Sequence, residues 1–374
     1  MNSIEANGAS PYLGRPADRA SASIAAQANH TGSEPHCLTL LGPEPPLPVF
    51  QQGWWLAIAR GKNDLKVEQL TERGAILGRL SYMKSRNRLG FVLGDLPYWT
   101  HLSGPWLADG LGLGDKADVL NQLVAQLPGT TSFDLICHPR KEDAALIRQV
   151  FESFGFTVST QNTYCQAPYT PHVMARISAE QRKNIVRAAK KLDVVSLDAN
   201  EFITFYAENL GEWGRSSYAP LSLARDLIAE GLRRSPPQVK VFAASRKEAV
   251  AGLQRCPMDA AIACAWDDER YYYFMSTRKR VCREHPEWKP NADAVKLLLV
   301  HAMEHARTMG LIFDADGVTE PGTEILYRDI LKIPQLEQRL VLRREFGMYT
   351  KYKTIKRKIE TTCACVRTPA KPGK

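Results

Sequence analysis

Apolar and polar positions recur with two different periods along this chain, and the places where the period switches mark out short strands and medium-length helices. Residues 54–59 (WWLAIA) form a compact apolar run that reads as a strand. Residues 75–84 (AILGRLSYMK) and 88–96 (RLGFVLGDL) read as a hairpin closed around 85–87. In 115–127, Ala117, Leu120, Leu123, Val124 and Leu127 keep helical spacing up to Pro128 and Gly129. A strand at 133–139, a helix at 141–155 ending at Gly155, and one or two strands at 156–166 complete this first half.

The second half repeats that order. A helical region near 200–234 precedes apolar runs at 239–245, 248–256 and 259–277 that read as consecutive strands. A long helix over 291–309 ends at Gly310 and leads into the strand 311–316 (LIFDAD). Short loops between consecutive strands favour hairpins over crossovers. The expectation is an α/β (α+β) chain of two similar domains, each a mixed, mostly antiparallel sheet flanked by helices. Between the halves, Ser178 is a helix cap with Gln181 three residues on as its capping-box partner. At 100° per residue, Lys183, Arg187, Lys190 and Lys191 fall on one arc of the helix that follows, opposite Ile185, Ala188, Ala189 and Leu192.

Length agrees with two halves, since 374 residues exceed one domain of about 150. Residues 1–46, rich in Ala, Ser, Gly, Asn and Pro without periodicity, read as a disordered leader. Domains are expected over 47–175 and 176–350, with a basic tail at 351–374. Neither a membrane-length apolar stretch nor a signal-peptide core occurs, so a cytoplasmic location is expected. The eight cysteines form no CxxC pair and read as reduced thiols. The net charge of +9 is concentrated in two places, six basic residues against one acid in 176–191 and eight against one in 339–358. That placement points to an anionic ligand such as a phosphate-bearing cofactor, a nucleic acid or a lipid surface.

Four passages, in order, resemble the double-GNAT acyltransferases related to the FemAB aminoacyl-transferases and to acetyltransferase domains found beside envelope polysaccharide genes. They are LGDLPYWTHLSGPWL (93–107), YTPHVMARISAEQRKNIVRAAKK (169–191), PNADAVKLLLVHAMEHARTMGLIFDADGV (290–318) and GTEILYRDILKI (322–333). The resemblance implies tandem GNAT-like domains. It also implies transfer of an acyl group from acyl-CoA (acetyl-CoA), or an aminoacyl group from tRNA, to an amine of an envelope precursor, amino sugar or related small molecule. The absence of a coiled-coil arm between the halves favours acyl-CoA. Two departures stand out: Arg328 replaces the family's usual Lys, and no Arg/Gln-x-x-Gly-x-Gly/Ala pyrophosphate loop is present.

Acyl transfer to an amine needs a groove for the donor, a hydrogen-bond donor for the oxyanion and a proton acceptor. In GNAT-like folds a splayed pair of central strands supplies the groove and a backbone N–H the donor; here these would be the strands at 271–277 and 311–316. Strand alternation puts Asp314 and Asp316 on one face, where one could take the proton or both could instead bind turn amides. Trp99, Thr100 and His101 are candidate acceptor-pocket residues, as are Tyr327 and Arg328 for a phosphate or carboxylate. Lys183, Arg187 and Lys190 are candidates for donor phosphates, against a merely solvated face. Two other classes stay open. One is a nucleic-acid-binding protein using the basic helix and 339–358. The other is a zinc hydrolase through His301, Glu304 and His305, which match H-x-x-E-H without a marked third ligand; no metal is expected on the transferase reading.

Overall fold

The computed structural model describes residues 46–87, 90–129, 131–248, 257–280, 289–317, 321–345 and 347. Apart from residues 46 and 248, the leader expected over 1–46, the strand read over 248–256 and the tail expected over 351–374 lie outside the described residues. After a 3₁₀ turn at Val49–Gln51 the elements run α1 (Gly53–Ala59), β1 (Asp64–Glu72), β2 (Ala75–Arg86), β3 (Val92–Asp95), β4 (Trp106–Leu107), α2 (Leu113–Ala125), β5 (Ser132–Cys137), α3 (Ala144–Ser153) and β6 (Thr157–Gln166). They continue with α4 (Val173–Arg176), α5 (Ala179–Lys191), β7 (Leu192–Ser196), α6 (Ala199–Glu212), α7 (Leu221–Arg233), β8 (Val239–Arg246), β9 (Met258–Trp266) and β10 (Arg270–Arg278). Last come α8 (Ala294–Thr308), β11 (Ile312–Gly317), α9 (Pro321–Glu324), a π-helical turn at Ile325–Ile330 and β12 (Gln335–Arg344). Among the described residues no helix is long and apolar enough to cross a membrane.

The chain forms two compact units. The smaller takes Arg60–Glu72, Ile76–Thr160 and the described residues from Arg339; the larger takes those up to Ala59, Arg73–Ala75 and Gln161–Gln338. The smaller unit is a sheet in the order β1-β2-β3-β5-β12, with β4 paired to β2. Its apolar face carries Leu80, Tyr82, Phe133, Leu135, Leu340 and Leu342 against Val119, Leu120 and Leu123 of α2 and Ile147 and Phe151 of α3. Gly78 permits that contact, because a Cβ there would lie 2.4 Å from a Val119 methyl. Strands β3 and β5 are parallel over Leu93↔Ser132, Gly94↔Phe133 and Asp95↔Asp134. Beyond Asp95 the strands part, and Ser103 and Gly104 both donate their N–H to the Ile136 carbonyl, at 2.8 and 3.0 Å. A Cβ at Gly104 would sit 2.1 Å from that of Cys137, so the 97–107 segment seals the gap between β3 and β5 with its own backbone.

The larger unit is a sheet in the order β6-β11-β10-β9-β8-β7. Pairs β7–β8, β8–β9, β9–β10 and β6–β11 are antiparallel, and β10–β11 is parallel. Each unit is therefore a mixed, mostly antiparallel sheet with one parallel pair joined through a helix. On one face Ile262, Cys264, Trp266, Tyr271 and Phe313 pack against α8 and against Ile185 and Ala188 of α5. The opposite face exposes Ala261, Ala263 and Ala265 to α6, whose Asn209 Nδ2 donates to Thr277 Oγ1 at 3.0 Å, Thr277 being the β10 partner of Ala261.

Two expectations are corrected. Residues 54–59 are not a strand of the first domain but lie in helix α1 of the larger unit. Trp55 is fully buried with its ring edge-on to Phe50 at 4.9 Å and to Phe274 at 5.5 Å, and Val49 N donates to Asp267 Oδ2 at 3.0 Å. That tertiary burial outweighs the strand propensity of the aromatic run. The basic run 339–358 begins inside strand β12, where Arg339 is only 1% exposed while Leu340 and Leu342 enter the core.

Helix α5 starts as expected: Ser178 Oγ accepts from Gln181 N at 3.2 Å. The reciprocal half of the capping box is replaced, because Gln181 Oε1 accepts from Lys296 Nζ of α8 at 3.3 Å. Ser178→Ala is expected to cost about 1 kcal/mol in urea denaturation, the usual worth of one side-chain cap. An unchanged midpoint would mean that the cap contributes nothing.

Candidate functional site

The sequence of β10, RYYYFMSTR, places Tyr271 and Tyr273 toward α8 and Tyr272 and Phe274 toward the α1 face. Its register to β9 slips between Tyr273↔Cys264 and Met275↔Ala263, so Phe274 is the extra residue of a β-bulge. On its other edge β10 pairs with β11 over Arg270↔Ile312, Tyr271↔Phe313 and Tyr272↔Asp314. The slip therefore begins one residue past the last of these pairs, the same level at which β11 slips against β6, between Asp314 and Gly317. Two adjacent irregularities open the sheet at the C-terminal ends of a parallel pair.

The two aspartates are not equivalent there. Asp314 is fully buried; its Oδ1 accepts from the Asp316 N–H at 2.9 Å and lies 2.6 Å from the Thr163 hydroxyl, and its Oδ2 is 3.7 Å from the Arg270 guanidinium. The Thr163 hydroxyl is also 2.8 Å from the Asp316 carbonyl oxygen, and its single proton serves one of the two acceptors at a time. Asp316 has φ +69°, in the left-handed region that Asp tolerates better than most residues. This turn breaks the alternation that predicted a shared face. Asp314 builds the bend; Asp316 is half-buried and acts electrostatically on Tyr273.

Tyr273 is a proton-holding group. Burial raises its phenol first, with Cys264, Asp316 and Tyr206 adding to the rise against a hydrogen bond with Ser276 that lowers it. Burial likewise pushes Tyr206 of α6 up to about 12. Both phenols stay protonated at neutral pH. Neither these tyrosines nor Thr163 were singled out from the sequence, where the Tyr271–Phe274 run registers only as strand; its alternation is the one signal that separates Tyr273 from Tyr272.

The remaining sequence candidates are dispersed. Trp99, Thr100 and His101 are buried at 2 to 3% exposure in the smaller unit, with Trp99 at φ +58° in the turn that leads into the sealing segment. Tyr327 is a core residue whose ring lies 6.2 Å from Tyr164, and Arg328 is engaged by Asp329 at 2.9 Å and Glu324 at 3.1 Å. Its charge is already balanced. Lys183, Arg187 and Lys190 are exposed on α5 and form no ion pair among the described residues, nor do their neighbours Arg182 and Lys191.

The H-x-x-E-H helix does not gather its three side chains. His305 Nδ1 lies 3.1 Å from the Tyr271 hydroxyl, and both His301 and His305 pack edge-on against Phe242. Burial, with Lys240 nearby, lowers the pKa of both imidazoles. Glu304 turns instead to Arg307 and to His172 Nε2 at 3.3 Å. Cys137, Cys165 and Cys264 are free, buried thiols, and burial pushes Cys137 and Cys264 up to about 12.

Compared by sequence, the chain matches no family model and no curated protein. Solved structures do match. A crystal structure of FemX superposes with a TM-score of 0.51 at 11% identity, covering 76% of this chain and 94% of that one. The fold is FemX-like. The C-terminal domain (DUF2156) of a putative lysylphosphatidylglycerol synthetase from Agrobacterium fabrum matches with a TM-score of 0.46 at 12% identity over 81% of this chain and 91% of that one. A GCN5-related N-acetyltransferase-like protein from Streptococcus suis matches with a TM-score of 0.31 at 11% identity over 79% and 95%. Within this chain's strand order each unit has one parallel pair, β3–β5 in the smaller and β10–β11 in the larger, and the first of these is sealed by its own chain.

Proposed function

We propose that the protein is an N-acyltransferase that moves an acyl group from acyl-CoA to an amine of an envelope precursor, amino sugar or related small molecule. The observation that carries this reading is the parted β10–β11 pair, with the bulge next to Tyr273 on β10 and Asp316, at positive φ on β11, acting electrostatically on that phenol. Asp316 accepts a proton as the amine nitrogen attacks the thioester carbonyl. The main chain of β10 at the bulge donates hydrogen bonds to the oxyanion. As the carbon–sulfur bond breaks, the proton taken up by Asp316 passes through the Tyr273 hydroxyl to the leaving thiolate in one relay, so no phenolate is formed and the products are an amide and a thiol.

The unpaired cationic arc of α5 suits the donor's phosphates. Its N-terminal turn touches the first turn of α8 through Gln181 and Lys296, at the end of the helix that follows β10. The same arc suits aminoacyl-tRNA as an alternative donor, or a nucleic acid as ligand in its own right. Lys183→Ala/Arg187→Ala/Lys190→Ala should leave the unfolding midpoint unchanged, because these side chains are exposed. The same variant should weaken acetyl-CoA binding about 10-fold or more in calorimetric titration, with a steep dependence on salt. Absence of binding to any acyl-CoA by the natural protein would rule out this donor, and RNA binding lost in the triple variant would replace it.

A further inference from the structure

A second group of polar side chains lies farther out along α6, away from Asp316. Tyr206, Asn209 and Trp213 recur at spacings of three and four and share one stripe of the helix. The stripe follows β10. Tyr206 acts electrostatically on Tyr273, Asn209 Nδ2 donates to Thr277 Oγ1 at 3.0 Å, and the Trp213 ring centroid lies 4.4 Å from the Arg280 guanidinium carbon and 5.6 Å from that of Arg215. Glu212 holds this end of the helix to the strand through Lys279 at 2.5 Å.

Two atoms of the stripe are buried with no hydrogen-bond partner among the described residues: Oδ1 of Asn209, a residue 1% exposed, and the indole Nε1 of Trp213. Folded proteins keep few such atoms, because each forfeits its hydration without replacement. The indole N–H beside two guanidinium groups matches a ligand group that carries negative charge, while the Asn209 acceptor oxygen one helical turn away takes a hydrogen bond from a hydroxyl or amide N–H next to that group.

We infer that Asn209, Trp213, Arg215 and Arg280 form an anion subsite for the far end of the acceptor substrate. This rests on the transferase reading, which puts the reacting amine at Asp316. The acceptor then carries a carboxylate or phosphate apart from its reactive nitrogen. A phosphate-linked amino sugar or a short peptide ending in a carboxylate carries both an amine and such a group. Donor phosphates are kept apart from this subsite, since α5 packs on the opposite face of the sheet from α6.

The test is intrinsic tryptophan fluorescence of the full chain titrated separately with UDP and with N-acetylglycylglycine. Saturable quenching by at least one probe is expected, absent in Trp213→Phe and with a Kd about 10-fold higher in Arg215→Ala, whose side chain is exposed. Response to UDP alone assigns a phosphate group, and response to the dipeptide alone a carboxylate. Affinities unchanged in Arg215→Ala, no response to either probe, or a loss that follows Lys183→Ala instead would overturn the subsite. Acyl transfer is scored separately. Arg215-dependent binding without transfer would keep the subsite and sink the transferase reading.

Discussion

Asp316→Asn is expected to lower the rate of amide formation by about 100- to 10,000-fold, the range over which a positioned general base contributes. Asparagine is the informative replacement because it keeps the size of the side chain and tolerates the left-handed backbone at φ +69°, whereas alanine would add backbone strain to the loss of the carboxylate. The backbone N–H of residue 316 still reaches Asp314 in this variant, so the local fold persists. The measurement is transfer of the acetyl group from acetyl-CoA to a panel of amines, with circular dichroism as a control on folding. A variant as fast as the natural protein would remove Asp316 from the chemistry. A defect confined to KM would assign it to amine binding.

Asp314→Ala is expected to act on stability, by about 3 kcal/mol or more, since removing one partner of a buried charge pair strands the other. The Arg270 guanidinium retains Glu337 at 3.1 Å, which argues for the lower end of that range. Thr163 Oγ1 and the Asp316 N–H lose their common acceptor at the same time. Asp314→Asn, which keeps one acceptor oxygen, should lose less, about 1 to 2 kcal/mol. Urea denaturation reads both as a lower midpoint at unchanged slope. A loss below about 1 kcal/mol for the alanine variant would show that the pair contributes little and that Asp314 is not the support of the bend.

These opposite roles could not be separated from the linear chain. Strand alternation puts residues 314 and 316 on one face, and only the positive φ at Asp316 and the register slip against β6 divide a buried structural carboxylate from the half-buried one proposed as the base. Tyr273 was equally hidden, because its neighbours in an unbroken aromatic run share its composition but not its surroundings. Arg328 shows the reverse: a charge that reads as an anion contact is already neutralised by Asp329 and Glu324, one of them its chain neighbour. Trp55 shows how tertiary contact redirects an element, since burial against Phe274, 219 positions later, turns an apolar run from strand into helix.

By itself the sequence determined what nearest neighbours can encode. The cap at Ser178, the amphipathic arc of α5, the long helix that stops at Gly310 and the strand–helix–strand order of both halves depend on spacings of three, four or two residues. Those periodicities are local, so they survive without knowledge of the fold. Tertiary structure alone decided where the proposed site lies. The pairing of β10 with β11, the bulge, and the meeting of Thr163 with Asp314 across 151 positions depend on strand order and register. A register carries no local signature, because a slip of one residue leaves the composition and propensity of a strand unchanged while exchanging every side chain between its two faces.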